Sequence, residues 1–259
     1  MNPVLFEVFS IPVYSYGFMM AAAFLICLLL ILRRCRALGI EPQQVLDLGL
    51  CIIIAGILGA RVLYIILNGR YYFQHPLEVF LLNKGGLIFY GGLICALLAG
   101  YIMLKKRRLP VLKIADLFFV YLPLGHAIGR IGCFLNGCCY GRPAEVLWAV
   151  RFPVYSIVGQ RWGTDNLVHP VQIYSSLANL VIFIILSLRI GYKKYDGQII
   201  LDYLLLYGLA RYCLEYFRAD NPVVICGLNV PQLMSLSMVI ISLVIRIIRT
   251  WRIRANITL

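Results

Sequence analysis

The sequence predicts an all-α polytopic membrane protein of about seven transmembrane helices, and three observations carry that expectation. Of 259 residues, 62% are hydrophobic and only 14% are charged, where a soluble domain sits nearer half apolar and a quarter charged. Several apolar runs approach or exceed the ~20 residues that a helix needs to cross a bilayer core. The lysines and arginines also gather in alternate connections. The net charge of +13 therefore reads as a record of membrane orientation, and no nucleic-acid partner is expected.

Taken in order, apolar runs with charged ends predict spans at 12–32, 46–67, 86–104, 112–128, 170–190, 198–217 and 229–248. The first is preceded by Glu7 and by no Lys or Arg, so it reads as a retained helix and not as a cleaved signal peptide. The fourth is short and ends at GRIGCFLNGCCYGRP, residues 129–143. Arg33, Arg34 and Arg36 follow the first span, and Lys105, Lys106, Arg107, Arg108 and Lys113 separate the third from the fourth. Arg189, Lys193 and Lys194 follow the fifth, and Arg246, Arg249, Arg252 and Arg254 close the chain. All fall on one side of a seven-span arrangement, which predicts an N-terminus outside and a C-terminus in the cytoplasm. The opposite loops hold Arg70, Lys84, Arg142, Arg151, Arg161 and Arg218. Residues 129–169 then form a small extracytoplasmic cap between the fourth and fifth spans, an insertion within a single membrane domain of residues 1–259. Within the cap, the alternation of WAVRFPVY predicts a strand.

Three further arginines lie within or at the edge of apolar runs: Arg61 in AGILGARVLYIIL, Arg130 in GHAIGRIGCF and Arg211 in YGLARYCLEYF. A charge at the centre of a spanning helix costs about 2.5–3.5 kcal/mol on insertion scales, so each needs a partner or a watery cavity. Glu215 follows Arg211 by four residues on the same helix face, which suits either a structural ion pair or a site. The predicted topology puts all three arginines toward the outer ends of their helices. Phospholipid phosphate is the abundant anion at that depth, and the planar fork of arginine binds phosphate through paired hydrogen bonds. KGGLIFYGGLI, residues 84–94, holds two Gly-Gly pairs with Tyr90 before the second. The glycines serve close helix packing or exposed amides, and Tyr90 serves as an interfacial anchor or a site residue. His126 stands four residues before Arg130 on one helix face, and His169 reads as a cap or hinge of the outer loop.

Together these segments resemble the prolipoprotein diacylglyceryl transferase family. The resemblance runs through SYGFMMAAAF (15–24), LGARVLYIIL (58–67), GGLIFYGGLI (85–94), GRIGCFLNGCCYGRP (129–143), HPVQIYSSLANL (169–180), RYCLEYFR (211–218) and GLNVPQLMSLSM (227–238). It implies seven spans and a reaction at the bacterial cytoplasmic membrane, with the active site facing the outer leaflet. The diacylglyceryl group of phosphatidylglycerol passes to the lipobox cysteine thiol of a preprolipoprotein, and glycerol phosphate leaves. The partners implied are phosphatidylglycerol, lipobox substrates and membrane lipids, with no metal and no organic cofactor.

By the same resemblance Arg130 matches the arginine that binds the phosphatidylglycerol headgroup, Asn136 the second asparagine of that motif, and Arg61 an arginine of the second span. Arg211 and Glu215 match the late arginine and glutamate. Two departures stand out. Tyr90-Gly91-Gly92 occupies the place of a family His-Gly-Gly, and Cys133 and Cys138 replace an asparagine and an acidic residue.

The chemistry is displacement at a glycerol carbon by sulfur. A thiol of pKa ~8.5 is already a few per cent thiolate at neutral pH. The larger demand is the negative charge growing on the leaving phosphate, which fixed arginines stabilise more in the transition state than in the ground state. The catalytic candidates are accordingly Arg130, Arg211, Glu215 and Tyr90, the last as a phosphate hydrogen-bond donor or as the base. The headgroup candidates are Arg130, Asn136, Arg61, Gly91 and Gly92, and His126 is the alternative base.

The cysteines read as packing replacements at a turn on the lipid–water boundary. C-x4-C-C is not a zinc knuckle, which wants C-x2–4-C with further ligands downstream. A bridge between adjacent Cys138 and Cys139 would be strained, while pairing of Cys133 with Cys138, or of either with Cys226, stays open. Competing functions are a paralogue acting on another acceptor, a non-catalytic lipid-binding or transport protein, and a thiol oxidoreductase. The chain lacks the internal symmetry common in transporters and the C-x-x-C of the last class.

The topology is checked by reporter fusions. Those after Arg36, Lys106, Lys194 and Trp251 are expected to report cytoplasm, and those near Arg151 and Asn221 the outside. One clear reversal overturns the seven-span arrangement.

Overall fold

The computed structural model describes residues 4–8, 11–80, 86–154, 156–163 and 166–255. Lys84 and Gly85, from the first glycine pair, lie outside them. The elements run β1 (Val4–Val8), β2 (Ile11–Tyr14), α1 (Ser15–Cys35), α2 (Pro42–Leu67), α3 (Gly69–Gln74), α4 (Phe89–Lys106), α5 (Val111–Asn136) and α6 (Ile157–Trp162). They continue with α7 (Val171–Arg189), α8 (Gln198–Glu215), β3 (Val223–Ile225), β4 (Leu228–Asn229) and α9 (Val230–Ala255). The expected all-α polytopic membrane protein is what this order shows, with two small hairpins added. The chain divides into two compact units, Ile31–Ile114 and the pair of segments Met1–Leu30 and Ala115–Leu259.

Six helices among the described residues are long and apolar enough to cross a membrane: α1, α2, α4, α5, α7 and α9. The sequence expectation of seven rests on α8, which carries Asp202, Arg211 and Glu215 in only 18 residues. Arg211 and Glu215 pair within the helix, and its third charge is neutralised by neighbours, since α8 packs on both α7 and α9. Buried Asp202 takes Arg189 of α7 at 3.0 Å and is also bonded by Arg246 of α9.

In the Ile31–Ile114 unit, α2 and α4 meet along Gly56, Gly59, Gly91 and Gly92. A Cβ at Gly59 would fall 2.6 Å from the Gly91 carbonyl oxygen, and one at Gly91 would fall 2.5 Å from the Gly59 oxygen. The small residues let two backbones approach where hydrophobic driving force between helices is weak in lipid. Beyond α3, Pro76–Phe80 makes a 3-10 turn.

In the other unit, α1 and α5 pack on each other in the same way. Gly125 lies against Cys27, Gly129 against Met20 and Gly132 against Met19. The fourth span therefore does not end near residue 128 as expected; α5 continues to Asn136. Gly129 and Gly132 read as turn residues in sequence, but they are helical and serve the α1 seam. Pro123 is accommodated inside α5. Likewise the first span begins at Ser15, because Ile11–Tyr14 pairs antiparallel with Val4–Val8.

One end of this unit is held by Asp116. Its buried carboxylate accepts from Lys193 Nζ at 2.8 Å and from the backbone N–H groups of Gly197 and Ile200 at 2.9 and 3.2 Å. It thereby caps the N-terminus of α8 from another helix, satisfying donors that the helix cannot. At the opposite end, the described residues after α5 include a small buried cluster of Tyr140, Phe152, Val158 and Val168. Ser156 caps α6, its hydroxyl oxygen accepting from Gly159 N–H at 3.0 Å. The strand expected in WAVRFPVY is absent among the described residues, where Val150 makes only an isolated bridge to Val168. Pro153 cannot donate to a ladder, and its carbonyl instead accepts from Ser156 N–H at 2.9 Å in a turn.

The α2–α4 seam yields a paired test. A Cβ at Gly59 would sit 2.3 Å from Cys95 Cβ, whereas one at Gly56 meets nothing closer than 3.8 Å. Gly59→Ala is expected to destabilise the detergent-solubilised protein by ~1–3 kcal/mol, and Gly56→Ala to leave its thermal transition in place. Equal transitions for the two variants contradict the packing.

Candidate active site

The end of α5 is a helix stop dictated by Gly137. Its φ of 72° is left-handed, the region glycine enters without a Cβ penalty. Gly137 N–H donates to Phe134 O at 3.3 Å and Cys138 N–H to Cys133 O at 3.1 Å. This pair of bonds is the Schellman arrangement, which brings the second residue after the helix back onto the third residue from its end. Here those residues are Cys138 and Cys133. Cys139 follows, also left-handed, at φ 59°, and all three sulfurs lie within 4.8 Å of one another. The cysteines are free thiols. The sequence motif is thus half helix and half turn: Arg130, Cys133 and Asn136 ride on α5, and Cys138 and Cys139 on the turn. Sulfur hydrogen bonds from Cys133 and Cys138, with the guanidiniums of Arg218 and Arg130 nearby, hold the Cys139 thiol below its ordinary pKa.

Arg211 and Glu215 meet as expected, with Nη1 2.5 Å from Oε2. Glu215 is 1% exposed, and both its oxygens are engaged. Oε1 accepts from Asn229 Nδ2 at 2.9 Å and from Asn221, while Arg218 Nε lies 3.8 Å from Oε2. Arg218 also forms a forked pair with Asp220, at 2.9 and 2.5 Å. Arg130 lies within electrostatic reach of Arg211, Arg218, Tyr207 and Cys139. It is half-buried and, among the described residues, has no carboxylate partner. Three guanidiniums against two carboxylates leave one positive charge at the end of α5 and α8.

His126 sits one turn deeper on α5. Its Nδ1 is 3.3 Å from the Tyr203 hydroxyl, and its ring lies 5.5 Å from that of Tyr207. His169 binds the cap as expected of a hinge: its N–H donates to Arg142 O at 3.0 Å, and its ring packs edge-on against Phe217 at 5.2 Å.

The remaining candidates belong to the Ile31–Ile114 unit. Tyr90 is exposed on the first turn of α4, its ring edge-on to Phe89 at 5.7 Å. Gly91 and Gly92 face α2, and their N–H groups donate to Ile88 O at 3.1 and 3.3 Å. Those amides serve the helix, so of the two readings of the glycines the geometry favours packing. Arg61 is 6% exposed and holds the outer turn: Nη2 donates to Glu78 O at 2.7 Å, Nε to Val79 O at 3.0 Å and Nη1 to Gly86 O at 3.3 Å. The rings of Tyr72 and Tyr64 lie 5.4 and 5.8 Å from its guanidinium carbon.

Several residues escaped the sequence reading although they stand inside its quoted segments. Asn229 caps α9 in a reciprocal box, its Oδ1 accepting from Gln232 N–H at 2.9 Å and Gln232 Oε1 accepting from Asn229 N–H at 3.1 Å. N-V-P-Q is a legible capping signal, but its second bond, to Glu215, is not. Gln172 donates from Nε2 to Cys138 O at 2.8 Å and pins the turn to α7. Arg218 was counted only as a loop cation.

With this geometry established, comparison with known proteins gives one answer. The model of the prolipoprotein diacylglyceryl transferase family matches residues 3–248. The phosphatidylglycerol–prolipoprotein diacylglyceryl transferase of Clostridioides difficile is 33% identical over 259 residues, covering 100% of this chain and 99% of that protein. Those of Clostridium tetani and Bacillus velezensis are 32% and 29% identical, covering 94% and 96% of this chain and 96% and 92% of theirs. The chain belongs to the prolipoprotein diacylglyceryl transferase family.

Proposed function

We propose that this protein transfers the diacylglyceryl group of phosphatidylglycerol to the lipobox cysteine thiol of preprolipoproteins, the first step of lipoprotein maturation. The observation that carries the residue assignments is the half-buried guanidinium of Arg130, which has no carboxylate of its own among the described residues. A phosphodiester headgroup carries one negative charge and matches the single charge left over there. Asn136, at the end of the same helix, is the nearest amide in sequence to that headgroup position.

In the reaction the acceptor sulfur attacks the glycerol carbon of the diacylglyceryl group. The carbon–sulfur bond forms as the carbon–oxygen bond to phosphate breaks, and the electron pair leaves on the phosphate oxygen of glycerol phosphate. Arg130 and Arg211 stabilise that growing charge, which lowers the barrier because the interaction is stronger in the transition state. Glu215, with both oxygens engaged, acts as a positioning residue that aligns Arg211. Tyr90 hydrogen-bonds phosphate through its hydroxyl or, as its phenolate, accepts the thiol proton, with His126 as the alternative base. The loop clamp made by Arg61 supports a positioning role for it in preference to a headgroup contact. The site works at the outer leaflet of the cytoplasmic membrane, within one membrane domain that carries a cap beginning after Asn136.

Purified protein, phosphatidylglycerol and a lipobox peptide test the activity, with product mass as the readout. A peptide gaining one diacylglyceryl group is expected, and its absence with a folded, lipid-supplied protein refutes the assignment. Arg130→Lys keeps the charge but loses the fork, and losing transition-state contacts worth ~3 kcal/mol slows turnover more than a hundredfold. Near-normal turnover of that variant would make Arg130 a topological anchor. Tyr90→Phe is expected to cut turnover with insertion intact, and Tyr90→His to keep or raise it, since imidazole accepts a thiol proton near pH 7. Full activity of the phenylalanine variant removes the Tyr90 hydroxyl from the chemistry.

A further inference from the structure

The helix stop at Gly137 gathers three thiols, Cys133 from the end of α5 and Cys138 and Cys139 from the turn that follows it. We propose that Cys133, Cys138 and Cys139 form a site for a thiophilic metal ion of the zinc class, with three sulfur ligands and one open coordination position. Four observations support it.

The first is distance. Zinc–sulfur bonds of ~2.3 Å in a tetrahedral site put neighbouring sulfurs ~3.8 Å apart. The three sulfurs already lie within 4.8 Å of one another, so closing on an ion needs each to move by no more than ~0.6 Å, which side-chain rotation supplies.

The second is how that distance arises. The Schellman bonds bring Cys138 over Cys133, and Cys139 adds its sulfur by adopting a left-handed φ of 59°. A non-glycine residue in that region costs free energy and persists only where its surroundings fix it. Gln172 Nε2 contributes to that fixing through its bond to Cys138 O at 2.8 Å. The turn is therefore rigid before any ion arrives.

The third is the set of donors around the sulfurs. The Asn136 side chain lies beside Cys138 and the Arg218 guanidinium beside Cys139, each favouring the charged form of the sulfur. N–H groups beside ligating sulfur orient the ligands and stabilise the thiolate form, as outer partners do in metal sites generally.

The fourth is charge. Three thiolates and a divalent ion leave one negative charge, and the guanidiniums of Arg130 and Arg218 both act on Cys139. Sulfur donors select zinc-class ions over magnesium or calcium, which take oxygen. Sequence spacing concealed the site because a zinc knuckle is recognised by a second, distant ligand pair. Here one helix end and the turn after it supply all three ligands.

Binding is direct to measure and independent of the transferase assignment. The purified full-length protein, reduced and freed of metal, is titrated with Co2+ and separately with Zn2+. A thiolate-to-cobalt charge-transfer band saturating at one equivalent and displaced by Zn2+ is expected. Zn2+ should also protect Cys138 and Cys139 from alkylation in peptide mass spectra while leaving exposed Cys213 and Cys226 reactive. The Cys133→Ser, Cys138→Ser and Cys139→Ser variants should each lose the band, with Cys226→Ser keeping it. Asn136→Leu should weaken Zn2+ binding by ~10–100-fold, as loss of an outer partner does. No band and no protection in the wild-type protein overturn the site without recourse to any variant. So does a band that survives in the triple serine variant.

Discussion

A carboxylate withdrawn from water must be neutralised where it stands, and breaking a buried pair by removing one partner costs ~3–5 kcal/mol. Glu215 imposes that constraint on this protein. Its partners come from α8 (Arg211), from the segment after it (Arg218, Asn221) and from the residue that caps the start of α9 (Asn229). The carboxylate thus fixes where α9 starts relative to where α8 ends, and the Asn229–Gln232 box repeats the same instruction through the backbone. The cap is drawn in as well: Arg142 Nε donates to Arg218 O at 2.9 Å, and Gly141 bridges to Arg218. With Arg211 and Arg218 both committed to acids, Arg130 remains as the cation available to a ligand.

The contrast between Arg130 and Arg61 shows what a sequence withholds. Each interrupts an apolar run after a small residue, and hydropathy treats them alike. Arg61 is satisfied because the Pro76–Phe80 turn brings the carbonyls of Glu78 and Val79 within reach of its guanidinium. A guanidinium has five donors and no acceptor, so carbonyls presented by a turn satisfy it as a carboxylate does. Around Arg130 the neighbouring charges named above are two further arginines, and the carboxylates beside them are already taken. Whether a membrane arginine is structural or functional is decided by the hydrogen-bond acceptors folded around it, and those come from distant segments.

Span identity was legible because length and apolarity are properties of a segment by itself. The boundaries were less so wherever glycine was involved. Gly129 and Gly132 look like turn residues in a one-dimensional reading, yet their missing side chains make room for Met20 and Met19. Gly137 is the one whose φ demands glycine. In α8 the same difficulty takes another form: Asp202 lowers its apolarity, but the charge is answered by Arg189 and Arg246 from flanking helices. Of the candidate site, Arg130, Asn136, Arg211 and Glu215 stood out in the sequence through motif and charge. Gln172 and Asn229 were not, because a polar residue near a helix start has a sufficient local explanation and shows its second partner only in three dimensions.

The helix stop itself ties the arginine to the thiols. A Schellman end places the residue after the left-handed glycine over the third residue from the helix end, whatever their identities. Cysteines at 133 and 138 are therefore forced together by the same hydrogen bonds that end the helix carrying Arg130. Gly137 cannot be replaced to relieve the arrangement, since it combines a φ of 72° with a Cβ position 2.8 Å from Ser156 Cβ. Arg130 and the sulfur cluster are consequently tied to the same helix end, and a shift of the turn large enough to separate the sulfurs would also move the end of α5. Cysteines at two positions the backbone holds in contact, where the family resemblance implies an asparagine and an acid, change the chemistry beside Arg130 without asking the fold to move.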